Sequence, residues 1–181
     1  MNAYDLIASD FHGRIELIAG AVDALAPGLQ QVAEALADTA LEDRRVFVAA
    51  AGADAYLAHY AAALLRSQDG GLPPLPAFAT GVAGTGVAPD MLWGELRTLA
   101  RDGDTLLFID CTSGASTGRE AMALAQERNL LPLLLSEAEA LPAPAIAVHL
   151  LAGSDEQRRE LALMAIHSVQ QLLLKILLGE T

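Results

Sequence analysis

Cysteine is nearly absent from this sequence. Cys111 stands alone, so no internal disulfide forms and no cysteine-based zinc site is available. Aromatic residues make up 4% of the 181 positions and charged residues 19%. Positive charge is the scarcer sign: 11 Lys and Arg face 23 Asp and Glu, a formal net charge of -12. An acidic surface repels phosphate backbones, so direct nucleic-acid binding is not expected. Basic protein partners remain open, and a phosphorylated ligand would need local N–H donors. Residues 1–18 have no basic leader and carry Asp5, Asp10 and Glu16, which argues against a signal peptide. The least polar stretch, 161–174, contains His167, Ser168, Gln170 and Gln171 and reads as too short and too polar to cross a bilayer. A cytoplasmic protein with no membrane attachment is the expectation.

Apolar residues are what the chain has in quantity, at 53%, with a mean hydropathy of +0.36. That composition excludes disorder. The length suits one domain, 1–181. The surplus of apolar surface points to contacts between copies of the chain, as a dimer or tetramer.

Ile7, Phe11, Ile15, Ile18, Val22, Leu25 and Leu29 recur at helical spacing. Ala26, Pro27 and Gly28 predict a break, giving two N-terminal helices over 1–40, with an α/β core over 44–181. Short apolar runs at 46–50, 76–80, 105–110, 130–135 and 145–150 read as buried strands. Helices are expected over 55–66, 89–100, from the 111–116 loop to about 128, and 155–178. The alternation implies a five-stranded parallel sheet in a three-layer αβα sandwich of flavodoxin-like type. A long C-terminal helix, apolar round most of its circumference, closes it.

In such sheets ligands bind beyond the carboxyl ends of the strands. Two loops there offer chemistry. Cys111, Thr112, Ser113, Gly114, Ala115 and Ser116 place hydroxyls and a glycine where a strand meets a helix N-terminus. Backbone N–H groups and neutral hydroxyls can hold a phosphate without lysine. Ordinary helix capping by Ser113 or Ser116 is the competing reading. In the other loop Gly52 and Asp54 stand out. Asp54 reads as the N-cap of the next helix, its carboxylate sitting where an anion would bind. His59 and His167 are candidate catalytic imidazoles, with core packing the plainer alternative. Cys111 reads mainly as structural, although a helix N-terminus would favour its thiolate.

These features resemble the SIS (sugar isomerase) family, in its phosphoheptose isomerase and DiaA group. The resemblance covers nearly the whole chain: leading helices, the Arg44, Arg45, Val46, Phe47, Val48 strand, Gly103, Asp104, Thr105, Leu106 and Leu107 before the Thr-Ser-Gly loop, and a closing helix with His167. The family loop Ser-Thr-Ser-Gly-Asn-Ser is matched by 111–116. The resemblance implies a phosphorylated sugar at Thr112, Ser113, Gly114 and Ser116, with Cys111, Gly52 and Asp54 lining the site. It implies dimers or tetramers, and either isomerisation of sedoheptulose 7-phosphate, with zinc in several members, or binding of the replication initiator DnaA. The departures lie in the catalytic half. The family's His-x-x-x-Glu pair falls on His59 and Ala63, or shifts to Tyr60, and its glutamine eight residues before the final histidine falls on Arg159. Loss of these groups predicts a non-catalytic protein without a metal cofactor, an altered phosphosugar isomerase being the alternative.

Overall fold

The computed structural model of the chain describes residues 2–50, 52–67, 74–80, 89–112, 117–137 and 145–180, with backbone alone at 89–92. It opens with one helix, α1 (Ala3–Leu41), that runs straight through Pro27. This corrects the expected pair of helices. Proline removes one ladder bond but does not abolish a helix held from both sides. Leu25 and Leu29 flank the site and are buried, and Val32, Ala33 and Leu36 follow on the same core face. Gly28 lets α1 press onto the sheet edge: a Cβ there would lie 3.1 Å from Val148 Cγ2 and 3.3 Å from the Ala147 carbonyl oxygen. Asn2 and Asp5 cap the start reciprocally, each side chain accepting the other's backbone N–H.

The strands are β1 (Val46–Ala50), β2 (Ala77–Thr80), β3 (Thr105–Asp110), β4 (Leu131–Ser136) and β5 (Ile146–His149). Between them lie α2 (Ala55–Arg66), α3 (Pro89–Leu99) and α4 (Thr117–Glu127), and α5 (Asp155–Leu178) closes the chain. All pairings are parallel, in the order β2-β1-β3-β4-β5. Alternate side chains feed two cores. Val46, Val48, Leu107, Ile109, Leu133 and Leu135 meet α1, α2 and α5. Phe47, Leu106, Phe108 and Leu134 meet Trp93, Leu96 and the apolar face of α4. The five-stranded, three-layer α/β expectation therefore holds, with the strand order doubling back between β1 and β3.

The closing helix is longer than the apolar stretch read from the sequence. α5 has 24 residues, and a window within it with mean hydropathy 1.7 would suffice to cross a membrane by length and composition alone. Here its Leu161, Ala162, Ala165, Ile166, Val169 and Leu173 are buried in the core shared with α1 and the sheet. Ser154 caps its start and Gly179, at φ 71°, ends it in the left-handed conformation that glycine takes freely.

Candidate functional site

In an open α/β sheet a ligand crevice forms where the strand order reverses, here between β1 and β3, and the first turns of α5 face that point. After β1 the chain turns at Gly52, whose φ of 59° favours glycine, and enters α2 through a short 3-10 turn, Gly52–Asp54. Because that turn is already helical at Asp54 (φ -87°, ψ -6°), its side chain does not cap α2. This corrects the expected N-cap. The carboxylate turns inward instead and is 1% exposed. Its Oδ2 accepts the Cys111 backbone N–H at 2.8 Å, and its Oδ1 accepts Arg159 Nε at 2.7 Å.

Arg158, one residue earlier on α5, is buried and turns toward the β3 exit. Its Nε donates to the Cys111 carbonyl at 2.8 Å and its Nη1 to the Ala152 carbonyl at 3.0 Å. The same guanidinium pairs with Asp155, and with Glu137 at 3.3 Å. Successive helical residues diverge by about 100°, so the two arginines reach different loops. Both backbone groups of Cys111 are thereby fixed, one by each end of the clamp.

The charges set the chemistry. Cys111 is fully buried, and its thiol pKa is pushed up to about 12 by burial first and by Asp54 next, against the pull of Arg159. Burial therefore disfavours a thiolate at this helix approach at neutral pH. Asp110, at the end of β3, is held above the usual carboxylate range by burial, opposed by the N–H of Thr112 on its Oδ1 at 3.2 Å. The Tyr56 hydroxyl is likewise raised by burial, with Arg159 opposing. The bond to Asp54 fixes Arg159 still more firmly in its charged form. Thr112 is exposed at the crevice, while Ser113, Gly114 and Ser116 lie outside the described residues.

The two candidate imidazoles lie on α2 and α5. His59 is exposed on α2. His167, on α5, shares a 2.6 Å hydrogen bond between its Nε2 and the hydroxyl of Tyr60, the rings meeting edge to face at 5.5 Å. Ala63, one turn after His59, offers no ligand atom. Among the described residues no three His, Cys, Asp or Glu side chains gather as a metal cluster. With Nε2 of His167 engaged and Arg159 a paired cation, this donor set does not fit a zinc ion, which takes three protein ligands in a catalytic site. The Asp54–Arg159 pair was not foreseen from the sequence. The unlike charges 105 positions apart gave no local signal.

The sheet order and the leading and closing helices define an all-parallel α/β domain with its switch point between β1 and β3. Comparison with known proteins narrows the class. No family model matches the chain. A phosphoheptose isomerase of Halorhodospira halophila is 27% identical, over 99% of this chain and 98% of that protein. The structure of a phosphoheptose isomerase from Francisella tularensis superposes with a TM-score of 0.82 at 19% identity, covering 96% of this chain and 98% of that one. That of phosphoheptose isomerase GmhA from Neisseria gonorrhoeae gives 0.80 at 18%, covering 95% and 98%. The chain is thus similar along its whole length to phosphoheptose isomerases and shares the fold of their solved structures.

Proposed function

We propose that the protein binds a phosphorylated sugar at the crevice beyond β1 and β3 without isomerising it. Aldose–ketose isomerisation moves a proton between adjacent carbons and needs a free base poised over them. The observation that supports loss of this step is the engagement of the relevant groups. Arg159 is tied to Asp54, and His167 is tied to Tyr60. A charged guanidinium has no lone pair to act as a base, and Nε2 of His167 is committed to Tyr60. Phosphate binding rests on the loop at Thr112, Ser113, Gly114 and Ser116, where hydroxyls and N–H groups suit an anion. The apolar side chains exposed along α1, among them Tyr4, Ile7, Phe11 and Ile15, support self-association as a dimer or tetramer.

The test is direct. Purified protein is expected to give no turnover of sedoheptulose 7-phosphate, while sugar phosphates raise its melting temperature. Measurable turnover abolished by His167→Ala would overturn the non-catalytic reading. An unchanged melting temperature across a panel of sugar phosphates would overturn ligand binding. The altered isomerase keeps one supporting observation: His59, next to Tyr60 in sequence, is exposed and is a candidate base.

A further inference from the structure

The Asp54 carboxylate is placed as a ligand would be. It lies at the switch point of the sheet, both its oxygens are engaged, and neither donor belongs to its own helix. One donor is the main-chain N–H at the exit of β3. The other is a guanidinium projected from the first turns of α5. An oxyanion bound between a β3-exit N–H and an arginine would make the same two contacts. The carboxylate is 1% exposed, so these two donors, and not water, satisfy it.

We propose that Asp54 is a built-in anion occupying the switch point, and that its removal uncovers a binding site for a small oxyanion held by Arg159 and the Cys111 N–H. In the intact chain this carboxylate bars a second anionic group from that point. It acts as a specificity determinant: it disfavours ligands that carry a carboxylate or second phosphate near β1. The inference rests on the Asp54 geometry and does not require the sugar-binding reading.

The experiment is chemical rescue. Asp54→Ala is titrated with sodium formate, and separately with inorganic phosphate, against sodium chloride at equal ionic strength, with thermal unfolding as the readout. Formate is expected to raise the melting temperature of Asp54→Ala saturably, by about 3–5 °C at ten times its apparent Kd, beyond the chloride control. The unsubstituted protein should show no formate-specific shift. The double variant Asp54→Ala/Arg159→Ala should lose the response. Asp54→Ala/Ser113→Ala should keep it while losing any response to sugar phosphates, which separates failure here from failure of the sugar site. If Asp54→Ala folds poorly, its refolding yield in formate against chloride reads the same quantity. No formate-specific gain in shift or yield, or a gain that survives loss of Arg159, overturns the proposal.

Discussion

Arg158→Met tests whether the clamp on Cys111 contributes to stability. The guanidinium is 3% exposed and donates to two main-chain carbonyls, those of Cys111 and Ala152. A hydrogen bond from a charged donor contributes about 1.5–3 kcal/mol, and a buried acceptor left bare costs a similar amount. Two such bonds give about 3–6 kcal/mol. The carboxylates lose less, because Asp155 and Glu137 are 32% and 43% exposed and water replaces the arginine. Methionine fills much of the volume, and the cost of desolvating the guanidinium disappears with it. The net expectation is a loss of about 3–4 kcal/mol. With a urea dependence of about 2 kcal/mol per molar, the unfolding midpoint at pH 7 should fall by about 1.5–2 M. Arg158→Lys, with one point charge for two divergent carbonyls, should recover about half of that. A loss under about 1 kcal/mol for methionine would refute the reasoning. So would a lysine variant no better than methionine.

Four further outcomes are expected. Gly28→Ala should destabilise: helix propensity favours alanine by about 1 kcal/mol, but the new methyl would press on the Ala147 carbonyl and Val148, and overpacking costs about 1–3 kcal/mol; thermal unfolding decides the sign. Pro27→Ala should stabilise α1 by up to about 3 kcal/mol, read in urea, since it restores the missing N–H and leaves the flanking packing alone. Asp110 is raised by burial, so the folded state holds its proton more tightly than the unfolded chain. Its contribution is present at low pH and is lost as pH rises from the ordinary carboxylate value through the folded one. Asp110→Asn should therefore flatten that decline when unfolding is followed from pH 4 to 8. Cys111, with its thiol near 12, should resist a disulfide reagent at pH 8 in the native protein and react only as fast as the structure opens.

The sheet was legible because its strands are apolar on both faces. β1 and β3 emerge at their sequence-read bounds, since Val46–Ala50 and Thr105–Asp110 are short runs that start directly after charged residues, Arg45 and Asp104. The break at Pro27 was misread because local signals favour a turn there, while the packing of Leu25, Leu29 and Val32 on the sheet overrides them. Asp54 was recognised as occupying an anion position but assigned to the wrong donors. Its capping propensity is local, whereas its partners are 57 and 105 residues away. The same distance hid the bond between Tyr60 and His167, which no periodicity announces.

The continuity of α1 has a thermodynamic corollary. At about 1.5 Å per residue its 39 residues extend about 58 Å, against a radius of gyration of about 16 Å for a globular chain of this size. Its fully buried side chains begin only at Leu25, and Phe11 is 64% exposed. A lone helical segment of some fourteen residues is marginal in water. Geometrically one rod, α1 is therefore two cooperative units. Amide hydrogens after Leu25 should exchange with the global opening of the domain. Those of the first turns should exchange by fraying, except for the tether between Arg14 and Glu160 of α5. Covering that arm with another surface would join the two units into one, so the protection of its amides would grow with protein concentration.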